Sequence, residues 1–308
     1  MAEAHGAWER RLGRWGLPVT AIGLGLAALG RPGYLTIGHG RDIGPDRSVE
    51  AMERHAHEVL DAAYAAGVRY FDAARSYGRA EAFLASWLAA RRLAPGEVSV
   101  GSKWGYTYTA DWQVDADPPE VKDLSVATLR RQLGETRALL GDHLSLYQIH
   151  SATIDSGVLD DSAVRAELDG LRGTGVAIGL TTTGPDQAAT IDRALAVGSF
   201  DCVQATWNLL EPSAGAALAR AHDTGLGVIV KEALANGRLA EALGADWDAV
   251  GIAAALAQPW CDVALSGAAT VEQVRSNLAA RDRRGPLPEV EPEPPDDYWS
   301  RRSALQWN

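Results

Sequence analysis

Cysteine is nearly absent: Cys202 and Cys261 are the only two in 308 residues, and neither sits in a CxxC or other metal-spaced pattern. A disulfide-stapled fold and a Cys-based metal centre are therefore excluded, and a reduced, cytoplasmic setting is the expectation. Basic clusters are equally scarce. The formal net charge is -11, and the doublets Arg91-Arg92 and Arg283-Arg284 are too short to form a polyanion-binding surface, so neither nucleic acid nor an anionic membrane is an expected partner. No apolar run approaches the roughly 20 residues a membrane span needs. Met1 to Arg14 mixes Glu, Arg and Trp and lacks the apolar stretch of a signal peptide. His39, His55, His57, His143 and His222 show no metal-ligand spacing, and no metal is expected.

What the chain does have is a globular composition, 46% hydrophobic and 22% charged, with 32 glycines, as a fold with many tight turns between elements requires. Short apolar runs alternate with longer amphipathic ones. A hairpin is expected over residues 10–26 with Gly16 near its turn, then a strand ending at Gly23-Leu24-Gly25, and a Gly/Pro-rich loop to Pro45. Val49, Met52, Ala56, Val59, Leu60 and Ala63 recur at helical spacing until Gly67. From there strands are predicted over 68–72, 97–102, 144–149, 176–180, 200–205, 227–230 and 262–265. Helices are predicted over 79–92, 126–140 with Ser125 as N-cap, 161–173, 185–197, 213–224, 248–257 and 271–281.

Eight strands, each followed by a helical run, imply a parallel sheet, and eight such units over about 250 residues are the usual content of a closed (β/α)8 TIM barrel. The rival, an open doubly wound sheet, lacks its GxGxxG turn here, because Gly23 and Gly25 have no third glycine at the right distance. The expected organisation is one barrel domain over residues 1–284, including the N-terminal hairpin, and a Pro/Glu-rich extended tail over 285–308. Tyr298, Trp299 and Trp307 would dock that tail on the barrel. The two tail tryptophans either close a pocket or only pin the terminus.

Active sites of such barrels gather at the C-terminal strand ends. Strands there end in Asp72, Lys103 and His150, and Tyr77 follows five residues after Asp72. A phenol is a weak acid at neutral pH, with a pKa of about 10, and a nearby ammonium held by a carboxylate would lower it. With a histidine to direct a carbonyl oxygen, these four residues make a proton donor beside a carbonyl. The matching hydride must come from a cofactor. Trp104, Tyr106, Tyr108 and Trp112 crowd the loop after the third strand, either as an aromatic wall for substrate or as packing beneath a long loop.

These segments together resemble the aldo-keto reductase family. Asp72 to Gly78, Ser102-Lys103-Trp104-Gly105 and Gln148-Ile149-His150-Ser151 are similar to its catalytic segments, with Glu81 also in place. Ala177 to Leu180, Val203 to Leu210 and Leu265 to Ala280 are similar to its later motifs. The resemblance spans roughly residues 10 to 282. It implies a nicotinamide cofactor, usually NADPH, and a carbonyl or alcohol substrate. Tyr77 would be the general acid, Lys103 and Asp72 its tuners, and His150 the carbonyl-orienting group. The implied cofactor-binding residues are Gly25, Thr181, Thr182, Gln204, Trp207, Lys231, Glu232, Leu234, Gly237, Ser266, Gly267, Ala268, Gln273 and Asn277. Trp104, Tyr106 and Trp112 would line the substrate pocket. The chain departs from the family at Thr181-Thr182 (commonly Ser-Asn), at Lys231 (often an aromatic), at Gln273 (an arginine for the 2′-phosphate in several members) and at Ser276 (often Glu), which leaves NADH possible. A second expectation is an NADPH-binding regulatory or sensor protein on the same barrel, resembling potassium-channel β subunits. A third is a barrel lyase using Tyr77 and Lys103 without hydride.

Overall fold

The computed structural model describes residues 8–244 and 246–307. The chain opens with an antiparallel hairpin, β1 (Glu9–Leu12) and β2 (Leu17–Thr20). It then alternates between a closed inner cylinder and an outer helical ring. In order come β3 (Ile22–Gly25), α1 (His39–Asp42), α2 (Val49–Ala65), β4 (Tyr70–Asp72), α3 (Ala80–Arg91), β5 (Ser99–Trp104), β6 (Tyr106–Tyr108), β7 (Glu120–Lys122), α4 (Val126–Leu140) and β8 (Leu144–Ala152). These are followed by α5 (Ser162–Arg172), β9 (Ala177–Thr182), α6 (Gln187–Val197), β10 (Cys202–Thr206), α7 (Gly215–Asp223), β11 (Gly227–Lys231), α8 (Leu239–Leu243), α9 (Trp247–Leu256), β12 (Val263–Ser266), α10 (Val271–Leu278) and α11 (Pro295–Ser303).

The cylinder is a closed barrel of eight parallel strands in the order β3-β4-β5-β8-β9-β10-β11-β12, with β12 returning to β3. The fold is thus the expected TIM barrel with its N-terminal hairpin. Helix boundaries follow local chemistry: Ser48, Ser125 and Thr270 cap α2, α4 and α10 by accepting the backbone N–H of Ala51, Thr128 and Gln273.

Side-chain parity along the strands divides the core in two. Tyr70, Leu146, Ala177, Cys202, Ile229, Val263 and Leu265 point into the barrel, where Leu12 and Val19 of the hairpin pack against them and plug the lower end. Gly227 permits this plug, because a Cβ there would lie 2.4 Å from Leu12 Cγ. Phe71, Val100, Tyr147, Ile149, Ile178, Leu180, Val203, Val228 and Ala264 point outward into the larger cluster shared with the helices.

Three elements depart from the sequence expectation. The loop after β5 contains the β6–β7 hairpin, paired from Tyr106 with Lys122 to Tyr108 with Glu120. The 27–45 loop contains the short α1. The tail is extended only as far as Pro294 and then forms α11, whose Tyr298 and Trp299 are buried against Leu210, Ala235 and Leu239. No helix among the described residues is long and apolar enough to cross a membrane.

Candidate active site

Parity and register bring the strand ends together. Asp72 pairs with Gly101, and two residues further along β5 Lys103 pairs with Gln148, so Asp72, Lys103 and Gln148 all face inward at the upper rim. The Lys103 ammonium forms an ion pair with Asp72, donates to the Ala73 carbonyl at 3.0 Å and to the Tyr77 hydroxyl oxygen at 3.4 Å. Lys103 and Asp72 are each 1% exposed, so neither charge has water as an alternative partner.

Asp72 also accepts from Tyr70 at 2.9 Å, Gln204 at 3.0 Å and Gln148 at 3.3 Å. Gly101 makes room for this, since a Cβ there would fall 2.5 Å from the Tyr70 hydroxyl. Gln204, expected on a carboxamide, therefore spends its amide N–H on Asp72 in this structure, although it still lines the cavity.

Tyr77 stands in the turn after β4, where Gly78 takes φ +59 with its Cα pressed toward the Gly30 carbonyl. Burial pushes the Tyr77 phenol above its usual range, the Asp72 carboxylate adds to this, and the Arg31 guanidinium opposes it. Desolvation at this buried position thus works against the lowering expected from the ammonium. His150 is pushed well below 6.5 by burial and then by Lys103 and Lys231, so its imidazole is neutral. It meets the Tyr77 ring edge-on with centroids 5.6 Å apart and Tyr106 at 4.9 Å, and its Nδ1 lies 3.5 Å from the Ser76 hydroxyl.

A cavity of about 380 Å³ runs from these groups along the barrel mouth. Asp72, Tyr77, His150, Tyr106, Gly25, Gln204, Lys231, Glu232, Leu234, Gly237, Ser266, Gly267, Ala268, Gln273 and Asn277 line it, and Lys103 lies just beneath. Lys231 donates to Thr206 Oγ1 at 2.8 Å, and burial lowers its pKa to about 8. Burial alone would raise Glu232, but Arg302 and Lys231 outweigh it and hold the carboxyl at about 2.

Besides Lys103, five expected residues do not line the cavity. Trp104 and Thr182 have the outward parity of their strands. Trp104 is buried in the barrel–helix layer, and Thr182 Oγ1 donates to Gln187 Oε1 at 3.4 Å. Trp207, one residue beyond inward-facing Thr206, is turned out against Trp260, with ring centroids 5.8 Å apart. Thr181 faces inward but is fully buried, accepting the Ser151 N–H at 2.7 Å, while Thr183 reaches the cavity instead. Trp112 packs on Phe83 and donates to the Arg47 carbonyl at 2.6 Å.

Other lining groups were not anticipated. Arg31 is 2% exposed, bonds Glu120 at 3.0 Å and the Ser76 carbonyl at 2.9 Å, and lies 5.3 Å from the Tyr77 ring centroid and 4.2 Å from that of Trp307. Tyr34 stands 6.4 Å from Trp307, and Arg302 grips Glu232 through both carboxylate oxygens at 2.5–3.0 Å. No local pattern marks these residues. The one available signal was the tail's aromatics, and Trp307 does reach the cavity.

The groups present fit an extended dinucleotide. At the end away from Tyr77, a Cβ added to Gly267 would meet nothing within 4 Å, so backbone faces open space there. Asn277 Nδ2 donates to Ser266 Oγ at 2.7 Å, forming a polar floor.

The site is thus a tyrosine, a lysine, an aspartate and a histidine gathered at the upper rim of a closed parallel barrel. The pattern of the Aldo/keto reductase family matches residues 21–251, and the chain belongs to that family. Over 146 residues, 45% of this chain, it is 27% identical to the "Uncharacterized oxidoreductase YrpG" of Bacillus subtilis (strain 168), a match spanning 38% of that curated relative's length. Among solved structures, a protein provisionally described as an aldo-keto reductase of Pseudomonas aeruginosa is 26% identical, with a TM-score of 0.67 over 89% of this chain and 93% of that one. The aldo-keto reductase AKR11C1 of Bacillus halodurans, 19% identical, shares the fold with a TM-score of 0.68 over 96% of this chain and 95% of its own.

Proposed function

We propose that the protein reduces an aldehyde or ketone to the alcohol with a nicotinamide dinucleotide, or catalyses the reverse oxidation. The observation that carries this reading is a phenol at the cavity wall whose oxygen accepts from a buried ammonium 3.4 Å away. With its lone pair committed to Lys103, the Tyr77 hydroxyl is left to direct its proton into the cavity. A phenol that resists ionisation in the resting state needs help when the proton leaves. The Lys103 ammonium supplies it by stabilising the phenolate, and Asp72 keeps that ammonium in place. Neutral His150 supports a carbonyl oxygen without competing as an acid.

Bound along the cavity, a nicotinamide dinucleotide supplies the hydride. Lys231, Ser266, Gly267, Gln273 and Asn277 would hold its phosphates and adenosine, and Gly25, Gln204, Glu232, Leu234, Gly237 and Ala268 would form the walls. Tyr106, Tyr34 and Trp307 supply an aromatic enclosure for a small carbonyl compound beside Tyr77. The test is Tyr77→Phe, which removes the proton and little else. Cofactor binding followed by tryptophan fluorescence should be retained, and turnover on a panel of aldehydes and ketones should fall about 10²–10⁴-fold. An active Tyr77→Phe protein would refute the assignment.

A further inference from the structure

The two ends of the cavity differ in charge. Arg31, Lys231 and Arg302 line the part near Tyr77 and His150, opposed by Glu120 and Glu232. Toward Gln273 the titratable lining groups are Asp42, carried by α1, and His39, whose pKa burial lowers to about 4, with the Arg47 and Arg31 guanidiniums near enough to add to that lowering, so that it carries no charge near neutrality. Asp248 also lines the cavity from the start of α9, which packs on α10. Arg41 and Arg275 are exposed and lie outside the lining, as does half-buried Arg47, which donates to the Gly40 carbonyl within α1 at 3.2 Å and to the Pro32 carbonyl at 3.1 Å.

Asp42 is placed with some care. Gln273 donates its amide Nε2 to Asp42 Oδ2 at 2.9 Å and accepts the Ala269 N–H on Oε1 at 2.7 Å, which fixes the amide's orientation. The segment carrying α1 is tied across the cavity by the Ile37 N–H, which donates to the Asn236 carbonyl at 3.2 Å. A carboxylate is thus held on the cavity wall beside the helix that carries Gln273 and Asn277.

We propose that Asp42, oriented by Gln273, selects a dinucleotide whose adenosine ribose bears a free 2′-hydroxyl, making NADH rather than NADPH the preferred cofactor. This rests on the nicotinamide-dependent reading, because a nicotinamide ring beside Tyr77 sends the adenosine half to the Gln273 end. A carboxylate accepts a hydrogen bond from a ribose hydroxyl, whereas a 2′-phosphate brings close to two negative charges against it while the neighbouring guanidiniums are already engaged, Arg31 with Glu120 and the Ser76 carbonyl and Arg47 with the carbonyls of Pro32 and Gly40.

The experiment is titration of the full chain with NADH, NADPH, 5′-ADP and 2′,5′-ADP, read by tryptophan fluorescence and by calorimetry. Wild-type protein should bind NADH at least about tenfold more tightly than NADPH, the scale of one close like-charge contact, and 5′-ADP more tightly than 2′,5′-ADP by a similar factor. Asp42→Ala should tighten NADPH and bring the two cofactors to near parity. Asp42→Asn keeps the shape and removes the charge, and carries the same test if the alanine variant does not fold. Wild-type affinity for NADPH equal to or above that for NADH overturns the proposal. So does an equal loss of both cofactors in Asp42→Asn, which would mark a purely structural residue. Binding of no probe at all would overturn this assignment together with the nicotinamide reading, whereas tight NADPH binding would overturn this assignment alone.

Discussion

Asp72 accepts hydrogen bonds from Lys103, Tyr70, Gln148 and Gln204. Its carboxylate is therefore an acceptor shared by three neutral donors and a buried ammonium, and it is the only charged partner of that ammonium among the described residues. Asp72→Asn should cost about 3–5 kcal/mol in denaturant unfolding, since it strands the Lys103 charge out of water. The double variant Asp72→Asn/Lys103→Met should recover a large part of that loss, because the charge that needed the carboxylate is gone. A double variant less stable than Asp72→Asn would contradict the pairing. Lys231 gives a pH signature. Its pKa is lowered to about 8, so it is an ammonium at pH 7 and loses its charge as pH rises through that value. If it holds a phosphate, dinucleotide affinity should fall above pH 8 by up to roughly tenfold per unit, and Lys231→Arg should flatten the curve over pH 7–9. At this scale the sequence was legible where residue type at a strand end carries chemistry, as at Asp72, Lys103 and His150. It misled where strand parity decides. Trp104, Thr182 and Trp207 belong to plausible motifs, yet alternation along β5 and β9, and the turn beyond inward Thr206, face them away from the cavity.

The last helix shows what an element adds that no single residue announces. Pro295 at its start, Asp296 and Asp297 in the first turn and Arg301 and Arg302 in the last are helix signals readable in the sequence. They were outweighed by the proline run ahead of them and by the polar surface of a helix that buries little beyond Tyr298 and Trp299. Those two rings stabilise the docking by about 2–3 kcal/mol each, and Arg302 adds a two-pronged contact to Glu232 on the cavity wall. Arg302→Met should lower stability by about 1–3 kcal/mol, less than a fully buried pair because the side chain is partly exposed. It should also raise the KM for a carbonyl substrate more than it lowers kcat, as expected of a wall and not of a proton donor. A change in kcat alone would argue against that role. The β6–β7 hairpin escaped for the opposite reason: its strands are three residues each and only half-buried or exposed, too short for alternation to register.

For the whole molecule, the barrel was legible because its signal repeats eight times, and errors of a residue or two at each boundary leave the count unchanged. The mouth was less so. Loops from distant parts of the chain close over it, with Arg31, Tyr34 and Asp42 arriving before β4 and Arg302 and Trp307 after β12. Their convergence depends on tertiary packing that no local window contains. The central claim concerns hydride as well as proton. It is tested most directly by a single turnover with dinucleotide deuterated at nicotinamide C4 and an aldehyde from the active panel, followed by mass spectrometry of the product. The account predicts one deuterium on the carbonyl carbon of the alcohol in wild-type protein and almost none formed by Tyr77→Phe at the same time point. Product lacking deuterium, or consumption of substrate with the dinucleotide left reduced, would contradict it.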